Sequence, residues 1–298
     1  MRTTKRFTPD VLDRYRAIGR GLGTFESYIP WHRVSRSDPA SRGRSHLITW
    51  RGRHYELLSD GELIAFLFCT PLLALGDDLR EQFPLALEPA PHELAAYDAR
   101  YAARECPGTL DIAKQLGIGH PQCHGSGRSA PWVMTTDLLK MRCAPDGTRT
   151  LLAVACKDGS ELPKRDRELL TIEKEYWSQR DASWLFLSRD LYNPFVGETL
   201  LRTWPWALAP SAPDRALSAA ERAVTDWPGR SLTFILQHIS EAVHDSELAK
   251  RALWQGIWWG RIPVDLGRGW RPHIPLQLIS SADFKMLNPV SSGRSAWN

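Results

Sequence analysis

Two short stretches hold the residue types best suited to chemistry. Met134-Thr-Thr-Asp-Leu-Leu-Lys-Met141 sets one acid, Asp137, beside an apolar run, and Leu151-Leu-Ala-Val-Ala-Cys-Lys157 is a β-prone run that ends in a lysine. Ala-Pro-Asp-Gly-Thr, residues 144–148, lies between them. Asp-Gly supplies the positive-φ positions of a tight turn, so the two runs are predicted to pair as a hairpin. That pairing brings Asp137 and Lys157 side by side. With an upstream acid on a helix, such a pair can bind a hard cation next to a phosphodiester, because hard cations take oxygen ligands. The lysine can orient or deprotonate a water, or offset charge that builds on the phosphate.

The upstream acid is Glu62. In Leu57-Leu-Ser-Asp-Gly-Glu-Leu-Ile-Ala-Phe-Leu67, Ser59 reads as a helix cap and Glu62 as the third helical residue of a capping box. Glu62 therefore either caps its own helix or points into a site, and residue type alone does not choose.

The other elements follow from local signals. Thr8-Pro9 starts a short helix that stops in Gly19-Arg-Gly-Leu-Gly23. Residues 77–85 read as a strand ending at Pro84. Glu161 to Gln179 has helical spacing, with Leu169, Leu170, Ile172, Tyr176 and Trp177 on the apolar face and Glu173 close to it. Trp184-Leu-Phe-Leu-Ser188 reads as a buried strand. Strand, strand, helix, strand is an α/β pattern. Asn193-Pro194 and the Trp- and Pro-rich Thr203 to Asp214 read as a linker. Ser231 to Val243 and a helix restarting at Asp245-Ser246 precede two short strand candidates, Gly260 to Leu266 and Ile274 to Leu278. Two helices and a β-ribbon suggest a winged helix. His120-Pro-Gln-Cys-His124, with Cys106 upstream, is only a weak zinc signal, because paired ligand doublets are missing.

Bulk properties narrow the class. At 298 residues, 43% hydrophobic and 24% charged, the chain is expected to be globular. No apolar run reaches the ~18 residues of a membrane span, and the N-terminus lacks the apolar core of a secretory signal. Five cysteines without a framework fit reduced thiols, so a cytoplasmic location is expected. The net charge of +4 is uneven: residues 1–54 hold 12 Arg and Lys against 4 Asp and Glu. A basic segment of this kind suits a polyanion, and Arg42, Arg44 and His46 in the Ser- and Gly-rich loop are candidate phosphate contacts.

From the basic N-terminus to Pro194 the sequence resembles TnsA, the endonuclease subunit of a heteromeric cut-and-paste transposase. The matching segments are Tyr28-Ile-Pro-Trp31, Gly43-Arg-Ser-His46, Leu57-Leu-Ser-Asp60 with Glu62, Arg80-Glu-Gln-Phe-Pro-Leu85, Gly117-Ile-Gly-His-Pro121, Thr136-Asp137, Lys157, and Glu173 to Trp177. The resemblance implies a restriction-endonuclease-like α/β core followed by an α+β winged-helix domain. By that reading residues 1–194 are catalytic, 195–230 a linker, 231–284 the winged helix and 285–298 a flexible tail. It implies cleavage at the 5′ ends of a transposon with Mg²⁺ (Mn²⁺ substituting), beside a DDE-type transposase and an AAA+ ATPase regulator. The family's Glu, Asp and Gln-x-Lys fall on Glu62, Asp137, Ala155 and Lys157. Ala155 departs from the pattern, since a methyl group cannot hold metal. Glu62, Asp137, waters and the Cys156 backbone carbonyl would then hold the ion, with Glu173, Glu161 or Glu81 as auxiliary acids. A different expectation is a catalytically impaired scaffold that bridges transposase and ATPase. A third, without the resemblance, is a winged-helix DNA-binding regulator.

Overall fold

Thr8 and Pro9 begin the first helix, α1 (Pro9–Ala17). Thr8 Oγ1 accepts from Val11 N at 3.4 Å, and proline sits in the first turn, where its missing N–H has no helical partner to lose. An antiparallel hairpin follows, β1 (His46–Trp50) and β2 (Arg53–Leu57). Next come α2 (Asp60–Cys69), β3 (Asp78–Pro84), the two-residue strands β4 (Ala90–Pro91) and β5 (Glu105–Cys106), and α3 (Thr109–Gln115). A small hairpin, β6 (Gln122–Gly125) and β7 (Arg128–Pro131), precedes β8 (Thr135–Cys143), β9 (Arg149–Lys157), α4 (Lys164–Ser178) and β10 (Ser183–Ser188). This computed structural model describes residues 6–35, 38, 40 and 44–297. The chain divides into two units, one of Met1–Ala65, Leu73–Ser188 and Ala296–Asn298, the other of Phe66–Leu72 and Arg189–Ser295.

The first unit is a mixed α/β fold around a four-stranded sheet of order β10-β9-β8-β3. β10 runs parallel to β9, while β8 is antiparallel to both β9 and β3. The β8–β9 hairpin turns where Asp-Gly demands it. Gly147 adopts φ +81°, Ala144 N donates to Thr148 O at 2.8 Å, and the Asp146 carboxylate accepts from Thr148 N. Ile172, Tyr176 and Trp177 of α4 pack against Leu139, Met141, Leu151 and Ala153 of the sheet. The periodic apolar face read from the sequence is thus the face that is buried.

The second unit departs from expectation in three places. Residues 195–230 are not a linker: they hold most of α5 (Pro194–Ala207) and all of α6 (Asp214–Asp226). Asn193 caps α5 through Phe195 N at 2.9 Å, and the Trp- and Pro-rich composition that mimics a linker is carried inside the helix, Pro205 included. After α7 (Leu232–Val243) and α8 (Ser246–Trp258), the expected β-ribbon is reduced to two isolated bridges, Ser231↔Pro275 and Val264↔Leu278. Pro263, Pro272 and Pro275 lack the N–H groups that a ladder needs. Residues 285–298 are not a loose tail among the described residues. They include the end of α9 (Ser281–Leu287), Asn288 donates to the Phe68 carbonyl at 2.8 Å, and Ala296 N donates to the Phe186 carbonyl.

Candidate active site

Glu62 caps its own helix, and its carboxylate also faces Asp137. Its backbone N–H donates to Ser59 Oγ at 3.1 Å, and its carboxylate accepts from Leu58 N at 2.8 Å, which closes the first turn of α2. The same carboxylate is buried and faces Asp137. Desolvation, and next the Asp137 charge, push the Glu62 carboxyl up to about 8.

Asp137 stands where β8 and β9 part. The paired register between them ends at Leu138↔Val154, and Asp137 Oδ2 accepts the next N–H, that of Cys156, at 2.7 Å. Burial raises the Asp137 carboxyl above its usual range, although Lys157 opposes the rise. Lys157 ends β9 and is exposed at the mouth of the site. Desolvation works against its charge, but Asp137, then Asp166 and Glu173, outweigh it and hold the ammonium above its ordinary range. The hairpin therefore brings Asp137 and Lys157 into electrostatic contact and joins them to Glu62. Ala155 lies two residues before Lys157, opposite Phe186 of β10, and packs with Leu170 and Phe186 at 1% exposure.

One member of this cluster has no signature in the sequence. Gln82, in the middle of β3, has φ +49° and is 2% exposed. Its Nε2 donates to Glu62 Oε2 at 2.9 Å, and its side chain lies near enough to Asp137 to oppose the rise of that carboxyl. Left-handed backbone at a non-glycine strand residue cannot be read from composition. The expectation at this stretch was an ordinary strand.

The remaining candidates divide. Glu173 is buried on α4, accepts from Thr136 Oγ1 at 2.8 Å and from Trp184 Nε1 at 3.3 Å, and is pushed up to about 8 by desolvation and then by Asp137. It stands behind Asp137 with its hydrogen bonds committed. Glu81 does not serve the site: it is fully buried in a bidentate ion pair with Arg53, at 3.0 and 2.5 Å, and accepts from Glu56 N. Glu161 is exposed. Arg42 lies outside the described residues. Arg44 is exposed and 3.5 Å from Asp60, whose other oxygen is 2.6 Å from His46 Nε2, so both basic groups cluster at the start of α2. The zinc reading of the Cys/His segment finds no support: His120 bonds Thr109, His124 bonds Ser129, and Cys123 donates to the Ala130 carbonyl.

Two acids, Glu62 and Asp137, and Lys157 thus meet where β8 and β9 part, on a mixed α/β sheet. No family model matches the chain. It is 35% identical over 185 residues to the transposon Tn7 transposition protein TnsA of Escherichia coli. The matched segment is 61% of this chain and 58% of that relative's length. The chain is thus similar to TnsA over this segment and spans less than two thirds of that relative's length.

Proposed function

We propose that the chain is the DNA endonuclease subunit of a heteromeric cut-and-paste transposase, cleaving at the 5′ ends of the transposon with Mg²⁺. The observation that carries this reading is the buried pairing of Glu62 with Asp137, each held above its ordinary range, with Lys157 at the mouth. The order α2, β3, β8, β9, α4, β10 suits a restriction-endonuclease-like core, and the match to TnsA supports the same class.

The donor set fits Mg²⁺. Both carboxylates are hard oxygen ligands, and two acids buried together are relieved by a cation. Among the described residues no group of three or more His, Cys, Asp and Glu side chains could hold an ion. Glu62, Asp137 and the Cys156 carbonyl would therefore hold it along with several waters, which Mg²⁺ readily keeps. Such an ion supplies Lewis-acid stabilisation of the phosphate and a more acidic water. Lys157, protonated well above neutrality, offsets charge on the scissile phosphate and positions the water rather than deprotonating it. Arg44 and His46, with Arg42, would contact the DNA backbone. The partners by this reading are a DDE-type transposase and an AAA+ ATPase.

The test is Mg²⁺-dependent nicking of transposon-end DNA by the reconstituted complex. Asp137→Ala and Lys157→Ala are each expected to reduce it by at least about 100-fold. Nicking that survives either change would sink the assignment. Ala155 favours one second reading, a subunit that bridges transposase and ATPase without cutting, because its side chain is packed as core and offers no oxygen. Excision with both strands cut would exclude it.

A further inference from the structure

We propose that Gln82 is a positioning residue of the acid site: its amide sets the spacing of Glu62 and Asp137 for a divalent cation. The inference rests on the endonuclease reading above and deepens it.

Three observations converge. First, the Gln82 side chain donates to Glu62 Oε2 at 2.9 Å and lies near enough to Asp137 to oppose the rise of its carboxyl, and so stands between α2 and β8 on β3. Second, the backbone is bent to deliver it. Gln82 holds φ +49°, which L side chains rarely adopt, and its carbonyl leaves the ladder to accept from Trp31 N at 3.1 Å and Tyr28 Oη at 3.4 Å. Strand pairing skips this residue, running Glu81↔Leu138 and then Phe83↔Thr136. The alternation slips with it: Arg80 and Phe83, which a regular strand sends to opposite faces, meet with the guanidinium 4.4 Å from the ring. Third, the chemistry is selective. A neutral amide can orient two carboxylates without cancelling their charge, whereas an arginine would occupy the site as a counter-ion, as Arg53 does at the adjacent Glu81. On the far side of Asp137 the corresponding position is Ala155, whose side chain offers no polar group.

Glycine separates positioning from folding, because it adopts φ +49° without strain. We expect Gln82→Gly, which relieves the backbone strain but leaves a small cavity, to melt above Gln82→Ala in EDTA. The Kd for Mg²⁺, measured by calorimetric titration of the full chain, should rise about 10- to 100-fold, the usual effect of losing a group that orients metal ligands. Nicking by the reconstituted complex should then need more Mg²⁺ but recover at saturation, a change in the metal requirement rather than in kcat. Gln82→Ala, which keeps the strain and loses the amide, should bind Mg²⁺ as weakly as Gln82→Gly but melt lower. The proposal is overturned if Gln82→Gly binds Mg²⁺ as tightly as the parent, whatever its melting temperature. Failure of the endonuclease reading has a different signature: the parent and Asp137→Ala would show the same absence of Mg²⁺ binding, and both proposals would fall.

Discussion

Glu81 and Gln82 are neighbours on β3, yet they face opposite electrostatic situations. Glu81 meets a fixed counter-ion: Arg53 holds it bidentately, Leu79 O takes a further Arg53 N–H at 2.7 Å, and the guanidinium lies 3.7 Å from the centre of the Tyr55 ring. Gln82 meets two acids for which no ion pair closer than 4.0 Å is found among the described residues. A buried carboxylate with its own arginine is a structural element. A pair of buried carboxylates met by a neutral amide keeps its charge unanswered by any arginine, and on the reading proposed above a cation would complete it. Burial alone does not distinguish them, since Glu81, Glu62 and Asp137 are all raised chiefly by desolvation. What distinguishes them is what the fold supplies to answer the charge.

Removing one partner from each should therefore have opposite effects, and this is the largest difference expected. Arg53→Ala strands the Glu81 charge and should cost about 3–5 kcal/mol, read as a lower denaturation midpoint. Glu62→Gln removes one of two mutually repelling acids and keeps an acceptor for Leu58 N. Without metal, near pH 8, it should stabilise by about 1–3 kcal/mol, since each pKa unit of displacement is worth ~1.4 kcal/mol. Mg²⁺-dependent nicking should be lost in the same variant. If Glu62→Gln unfolds as easily as Arg53→Ala, the two acids are alike in kind and the comparison breaks.

A third buried group supplies an intermediate case. His32 stacks on Trp132 and stands 3.8 Å from Asp38, but Asp38 is already taken by Arg20 at 2.7 Å. With its would-be counter-ion occupied, His32 stays neutral: desolvation lowers it to about 4, against the pull of Asp38. The sign follows. Below its ordinary value of 6.5 the unfolded chain binds a proton that the folded chain refuses, so stability present above pH 6.5 is lost as the pH falls towards 4. The loss attributable to His32 should reach up to about 3 kcal/mol. Because the raised Glu62 and Glu173 carboxyls change stability in the opposite sense over the same range, the His32 share is read as the difference between parent and His32→Gln in their stability change from pH 7 to pH 4.5, the parent losing more or gaining less on acidification.

How much of this could be read beforehand depended on how far apart the interacting residues lie in the chain. The β8–β9 hairpin was legible because Asp146-Gly147 encodes its own turn. The start of α2 was legible because Ser59 and Glu62 are three residues apart, and the buried face of α4 because its period is local. Asp137 and Lys157 were legible by residue type, whereas Glu62 was assigned to the site only by the resemblance; the structure brings the three together. Glu81 was not legible as a structural acid, because Arg53 is 28 residues away. Gln82 was hidden by a backbone angle that no propensity gives to glutamine. In the second unit proline misled twice: Pro205 inside α5 reads as a linker where there is helix, and the prolines near the expected wing, which leave only bridges there, were given too little weight against strands.

The smallest expected effect lies at the surface, where charge is answered by water. Arg44 is 79% exposed on its side chain and only 3.5 Å from Asp60, a contact worth at most about 0.5 kcal/mol in stability. Arg44→Ala should therefore leave the melting temperature where it is. If Arg44 contacts a phosphate, the same change should weaken binding to transposon-end DNA about equally for all sequences. It should also reduce the slope of log K against log salt by about 1. His46 gives the contrast, because its Nε2 is engaged with Asp60 Oδ1 at 2.6 Å beside the first turn of α2. His46→Ala should perturb the start of the helix that carries Glu62, and so act on Mg²⁺ requirement as well as on DNA affinity. An unchanged salt slope in Arg44→Ala would remove Arg44 from the DNA-contacting surface, while leaving the buried acids and their comparison with Glu81 untouched.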